Sequence, residues 1–68
     1  MNRLREWRTG EDLSLPEVSG LTGYSISHLS LVERGLRHPS PLAKVLIARR
    51  LGVPVQKLFP VAAPANDA

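Results

Sequence analysis

The sequence contains no cysteine, which removes several kinds of site at once. Without a thiol there is no disulfide framework, no zinc site built on thiolates and no cysteine nucleophile. The absence also accords with a reducing compartment. Stability must come from side-chain packing or from a partner, because a chain of 68 residues buries only about 60% of its unfolded surface.

Long apolar runs are absent as well. No stretch approaches the roughly 18 apolar residues that a transmembrane helix needs. The N-terminal segment "MNRLREWR" is charged and has no apolar core, so we do not expect a signal peptide. A membrane-embedded protein is therefore not expected.

Acidic side chains are few, and none is arranged for catalysis. The sequence shows no nucleophile–base arrangement, no paired carboxylates and no glycine-rich phosphate loop. We therefore expect no enzyme, no cofactor and no small-molecule ligand. The only histidines are His28 and His38, and no carboxylate accompanies them at a metal-ligating spacing, so no metal site is expected.

The charge that is present is mainly positive. Residues 1–60 carry nine basic and five acidic side chains, a net charge of +4 (9 − 5) with histidine neutral. A small basic domain favours an anionic partner, nucleic acid first and an acidic membrane surface second. The alternative is a solvated surface that is only mildly basic.

Turn and cap residues divide the chain into five predicted helices and leave no good strand. The helices are predicted to cover residues 2–10, 15–22, 26–34, 41–51 and 54–59. Ser14, Ser25 and Ser40 precede the second, third and fourth helix, where a hydroxyl accepts a free backbone N–H. Glu17 completes a capping box with Ser14. Trp7 is assigned to the core rather than to base stacking, because a lone aromatic on an apolar helix face is usually packed inside.

The composition changes after the fifth predicted helix. Residues 61–68 are rich in proline and alanine, which predicts a flexible or loosely docked tail. Residues 1–60 are predicted to form one all-α domain, a compact bundle of five helices.

The third predicted helix has an unusual outer face. At about 100° per residue, Leu29, Val32 and Glu33 share the side that we assign to the core. Glu33 lies at the edge of that side and needs a partner for its charge. The opposite side carries no charge and consists of Ile26, Ser27, Ser30 and Leu31, with His28 on its flank. Because solvated helix faces normally carry Lys and Glu, a bare face indicates close contact with a partner.

The second and third predicted helices are joined by only three residues, "GYS" at 23–25. A turn this short forces the helices to pack at a large angle, and Gly23 suits the left-handed conformation that ends a helix. Two helices joined in this way, the second with a bare outer face, describe a helix-turn-helix whose second helix enters the major groove of DNA.

Several short motifs occur in the order and at the spacing of a known family. They are the Ser14 cap, Gly23 in the turn, Ser25, "S-x-x-ERG" at Ser30–Gly35, "PS" at 39–40 and "LGV…LF" at 51–59. With these motifs, residues 3–59 resemble the Cro/C1-type (XRE-like) helix-turn-helix family of phage repressors, related bacterial regulators and antitoxins. The resemblance implies a lambda-repressor-like bundle in the cytoplasm of a bacterium or a phage-infected host. It also implies sequence-specific binding of double-stranded DNA as a homodimer.

The resemblance further implies an ion pair and a set of DNA contacts. An arginine of the first helix commonly pairs with the glutamate of the "ERG" motif, which assigns Arg8 to Glu33. Base contacts are assigned to Ile26, Ser27, His28, Ser30 and Leu31. Contacts with the DNA backbone are assigned to Arg34, Arg37, His38 and the N–H of Leu15.

Some of these positions depart from the residues usual in that family. Leu15 stands where glutamine is frequent, and Ile26 and Leu31 stand where polar or basic residues are frequent. We therefore expect Ile26 and Leu31 to contact thymine methyl groups, and DNA shape to carry part of the specificity. For His28 and Arg37 the alternative is an ordinary exposed side chain without a DNA contact.

The fourth predicted helix carries more apolar residues than one core face requires. The stripe assigned to the core consists of Ala43, Ile47, Ala48 and Leu51. The surplus apolar residues indicate self-association or a docked tail, and the dimer contact is assigned to Leu42, Leu46, Val55 and Phe59. The alternative is a wide core that covers Val45 and leaves Leu42 and Leu46 half-exposed.

The leading functional hypothesis is a small transcriptional regulator, most simply a repressor that occupies an inverted-repeat operator. The residues leave open whether it is a Cro-like phage or prophage protein or an antitoxin-type regulator. The alternative is a protein-interaction module that packs Ile26 and Leu31 against another protein and binds DNA weakly and without specificity.

Overall fold

A computed structural model describes residues 2–60, and the predicted tail, residues 61–68, lies outside the described residues. The chain forms α1 (Leu4–Gly10), α2 (Leu15–Thr22), α3 (Ile26–Glu33), α4 (Pro41–Leu51) and α5 (Val55–Leu58). Residues 2–60 contain no strand. The predicted fold class, an all-α bundle of five helices, is confirmed.

The first helix begins two residues later than predicted, at Leu4 rather than at Asn2. Asn2 Oδ1 accepts the N–H of Leu4 at 3.0 Å, and Asn2 Nδ2 donates to the carbonyl of Val32 at 2.7 Å. The N–H of Arg3 donates to the carbonyl of Leu58 at 2.7 Å. The bonds to Val32 and Leu58 hold residues 2–3 outside the helix, and no local pattern in the sequence reveals these two long-range contacts.

Helices α2 and α4 have their predicted bounds, whereas α3 ends one residue earlier than predicted and α5 is one residue shorter at each end. The hydroxyls of Ser14, Ser25 and Ser40 accept the N–H three residues further on, at 3.1, 3.0 and 3.2 Å respectively. Gly23 and Gly52 follow α2 and α4 with φ of 82° and 74°, a left-handed conformation that is strained for residues with a Cβ.

The core lies between all five helices. Helix α2 packs on α3 and α4, α1 packs on α3 and α5, and α4 packs on α5. The buried apolar side chains are Leu4, Val18, Leu29, Val32, Ile47, Ala48, Leu58 and Phe59. Trp7 is half-buried and packs against this core, in agreement with its assignment. The packing of α2 on α4 and of α3 on α1 keeps the connection between α2 and α3 at one end of a common core.

Candidate nucleic-acid interface

The connection between α2 and α3 is held by side chains as well as by Gly23. Ser19 Oγ donates to the carbonyl of Tyr24 at 2.6 Å, and the N–H of Tyr24 donates to Thr22 Oγ1 at 3.3 Å. Thr22 Oγ1 also donates to the carbonyl of Val18 at 2.8 Å and is buried. The angle between α2 and α3 is therefore fixed within the chain itself.

The outer side of α3 is uncharged and partly open to solvent. Ile26 is 45% exposed, and Ser27 is exposed beside it. Ser30 and Leu31 are half-buried further along the helix. The face is therefore most open at its N-terminal end, which is the end that contacts base edges in helix-turn-helix complexes.

His28 is less available than the sequence indicated. Its ring lies against that of Tyr24, with 5.2 Å between the centroids and 43° between the planes. The Nε2 atom of His28 is buried and has no hydrogen-bond partner within residues 2–60. A base contact through Nε2 would require the ring to leave Tyr24.

Cationic side chains follow α3. Arg34, Arg37 and His38 are all exposed. The chain turns at Gly35, which has φ of 74° and donates its N–H to the carbonyl of Val32 at 3.0 Å. Within residues 2–60 neither Arg34 nor Arg37 forms an ion pair, so both charges are free to meet an anion.

The structure brings Arg8 and Glu33 together between α1 and the end of α3. Arg8 Nε donates to Glu33 Oε2 at 2.6 Å, and Nη2 donates to Oε1 at 3.1 Å. The side chains are 14% and 5% exposed. The hydrogen bonds that Arg8 donates to Glu33 raise the pKa of Arg8, against the effect of burial, and the charge of Glu33 raises it further. A forked pair of this kind fixes geometry more than it adds net stability.

The start of α2 carries a carboxylate. Ser14 Oγ accepts the N–H of Glu17 at 3.1 Å, and Glu17 Oε1 accepts the N–H of Ser14 at 2.7 Å. The backbone hydrogen bond from Ser14, followed by the bond with its hydroxyl, lowers the pKa of Glu17. The N–H of Leu15, predicted to bind a phosphate, lies in this same first turn.

Residues 2–58 match a protein family described as a helix-turn-helix domain. The chain belongs to this family. A comparison with curated proteins gave no match. Helix-turn-helix domains in general bind DNA as parts of regulators and are not enzymes, and in this helix-turn-helix domain α2 and α3 are the two helices of the motif.

The helix-turn-helix domain has a second apolar surface on α4. Leu42, Val45 and Leu46 are 68%, 42% and 39% exposed, so the core does not extend to Val45. Val55 is half-buried and packs against the core. The assignment of Phe59 to a partner contact is wrong, because its ring is only 6% exposed and closes the core beside the four-residue helix α5.

Two contacts of the helix-turn-helix domain were missed by the sequence analysis. Tyr24 precedes the N-cap Ser25 and lies outside α3, so helical spacing did not indicate that its ring would contact that of His28. The bond from Asn2 to the carbonyl of Val32 had no signal, because the partners are 30 residues apart.

No helix within residues 2–60 is long and apolar enough to cross a membrane. The same residues hold no group of three His, Asp or Glu side chains placed to bind a metal ion.

Proposed function

We propose that this helix-turn-helix domain binds a specific duplex DNA sequence and represses transcription by occupying an operator in the cytoplasm. The main support for this proposal is the outer face of α3. It is uncharged, it is open at Ile26 and Ser27, and the unpaired charges of Arg34 and Arg37 follow it. Small side chains suit the base edges of a major groove, and flanking cations suit its phosphates.

Each side chain of α3 then has a separate role. Ile26 and Leu31 contact thymine methyl groups, whereas Ser27 and Ser30 form hydrogen bonds with base edges. His28 contributes from the flank, because Tyr24 holds its ring and its Nε2 is buried.

Arg34, Arg37 and His38 contact the DNA backbone, and their contribution falls as salt rises because bound phosphates release counterions. Among the proposed phosphate contacts, the N–H of Leu15 has the least favourable surroundings, since the carboxylate of Glu17 shares its helix turn.

The test is selection from a random duplex library at about 150 mM salt, followed by a salt series on one enriched site. An enriched inverted repeat with T-rich half-sites is expected. Binding without enrichment, dependent on salt alone, would contradict sequence reading by α3.

The matched variants for this test are Arg37→Ala and Lys57→Ala, which remove one exposed cation each. Lys57 lies on α5, beside Trp7 of α1 and Arg3, which precedes α1, and outside the proposed interface. Arg37→Ala should lower affinity uniformly across sequences and reduce the salt slope by about one. Lys57→Ala should change the affinity and the salt slope much less. Equal effects of the two substitutions would contradict the proposed contact of Arg37 with DNA.

We also propose that the domain is a homodimer through the exposed α4 patch formed by Leu42, Val45 and Leu46. A two-fold dimer would place two copies of α3 about 34 Å apart, as an inverted repeat requires. Leu46→Asp should shift the protein to monomer mass in light scattering. Leu36→Asp changes a residue that is 67% exposed outside the patch and should leave the mass unchanged. A monomeric parent chain, with and without DNA, would contradict the dimer.

The second candidate is a protein-interaction module, favoured by the exposed apolar side chain of Ile26. In that case the outer face of α3 packs against a protein, and DNA binding is weak and unspecific. Retained function after replacement of both Arg34 and Arg37 would favour it over the DNA-binding proposal.

A further inference from the structure

The first turn of α2 has few backbone donors left for an anion. The first four N–H groups of a helix lack intrahelical acceptors, and such groups are what bind phosphates. Here Pro16 has no N–H, the N–H of Glu17 is bound by Ser14 Oγ, and the N–H of Ser14 is bound by Glu17 Oε1. Only the N–H of Leu15 remains without a capping partner in this turn.

The first turn of α3 is different, although it is also capped by a serine. Ser25 Oγ accepts the N–H of His28, which leaves the N–H groups of Ile26 and Ser27 without a capping partner. No acidic residue lies in the first turn of α3, and none lies in the first turn of α4. Among the three serine-capped helices, α2 alone places a carboxylate at its own N-terminus.

This difference matters because of how a helix-turn-helix approaches DNA. The first helix crosses the sugar–phosphate backbone while the second lies in the groove. A phosphate near the start of α2 would therefore meet a carboxylate where the helix dipole would otherwise attract it. Glu17 is exposed, and within residues 2–60 no cation forms an ion pair with it.

We propose that Glu17 lowers the affinity of this domain for DNA by occupying the α2 N-terminus with a negative charge. The inference rests on the proposed function, since it assigns Glu17 a role in DNA binding. The carboxylate accepts the N–H of Ser14, which is then not free for a phosphate, and it repels the approaching DNA backbone. Glu17 is ionised near neutral pH, as an ordinary glutamate is, and its capping hydrogen bonds lower its pKa further.

The test is Glu17→Gln, measured by duplex-binding titration across a salt series. Glutamine retains the capping box, because it also serves as the third residue of that motif, so the variant loses charge and keeps the cap. Affinity should rise about fivefold at about 50 mM salt and less than about twofold at about 500 mM. A thermal melt close to that of the parent chain shows that the fold is retained.

The matched control is Glu6→Gln, which makes the same change in net charge on α1. Glu6 pairs with Arg3 and lies near Lys57, on the side of the molecule formed by α1 and α5. Its effect on affinity should be less than about twofold at the same low salt.

The outcomes separate this proposal from the function on which it rests. Tighter binding by Glu17→Gln alone supports the proposal. If the parent binds DNA and Glu17→Gln binds equally or more weakly, or gains no more than Glu6→Gln, the role of Glu17 is overturned while the proposed function stands. If the parent and both variants fail to bind any duplex at low salt, both proposals are overturned.

Discussion

The first turns of α2 and α3 have the same serine cap, but only the first turn of α2 contains a carboxylate, which would repel an anion. Both begin with a serine whose hydroxyl accepts the N–H three residues further on, at 3.1 Å from Glu17 and 3.0 Å from His28. The residue that donates this N–H has an ionised carboxylate in α2 and an imidazole in α3. The same serine cap can therefore stabilise both helices. Whether the helix N-terminus would also attract a phosphate depends on the side chain of the third helical residue.

The positions of α2 and α3 depend on the same folded bundle. Of the substitutions considered, Arg8→Ala should lower the stability of that bundle most. Arg8→Ala leaves Glu33, whose side chain is 5% exposed, without a partner. The expected loss in free energy of unfolding is about 3–5 kcal/mol, because removing one partner of a buried ion pair leaves the other charge buried and unpaired. For a domain of this size that is a large part of the total, about 3–9 kcal/mol.

Chemical denaturation measures this loss, and Arg3→Ala is its control. Arg3 also pairs with a glutamate, but the two side chains are 60% and 68% exposed, so water screens the pair. The expected loss is below about 1 kcal/mol. Similar losses for the two variants would contradict the structural role assigned to Arg8.

The next effect comes from giving α3 the same carboxylate that α2 has. His28→Glu places an acid at the third helical position after Ser25, where a capping box can form. DNA affinity should fall about tenfold at low salt relative to His28→Gln, because the end of α3 that is proposed to enter the major groove then carries a negative charge. Both variants lose the contact with Tyr24, so their ratio isolates the charge.

The thermal stabilities of His28→Glu and His28→Gln should differ in the direction opposite to their DNA affinities. A carboxylate in the first turn of a helix is favourable, so His28→Glu should unfold at an equal or higher temperature than His28→Gln. A parallel fall in affinity and stability would show that the loss of binding reflects a damaged helix rather than charge at its N-terminus.

The smallest effect is the pH dependence that Glu17 gives to folding. Its pKa is lowered from the ordinary 4.5, so its contribution to stability is fully present above that value and is lost as pH falls through the folded value. Between about pH 6 and pH 3, Glu17→Gln should therefore lose slightly less thermal stability than the parent. Identical pH profiles would contradict the charged cap.

Much of this arrangement could be predicted from local sequence. Ser14, Ser25 and Ser40 mark the helix starts because capping depends on residues within one turn. The inner and outer sides of α3 follow from its period. The start of α1 was misplaced because Asn2 and Arg3 are held by carbonyls of α3 and α5.

The candidate interface also contains some features that the sequence predicted and others that depend on contacts between distant residues. The Arg8–Glu33 pair was expected through a family resemblance together with a glutamate at the edge of a core face, and neither reason alone names both partners. The burial of Phe59 and of the Nε2 edge of His28 depends on which residues lie beside each ring. The spacing of apolar residues shows which side of a helix is apolar, but not whether a neighbouring element covers it.

For this protein, the sequence alone determined the class of fold, the three serine caps, the uncharged face of α3 and the positive charge that follows it. These features depend on residues close together in the chain. Tertiary structure alone decided which apolar residues stay exposed, where α1 begins and which way the His28 ring is held. Those features depend on contacts between elements, and the free energy of such contacts is determined by packing across the whole domain.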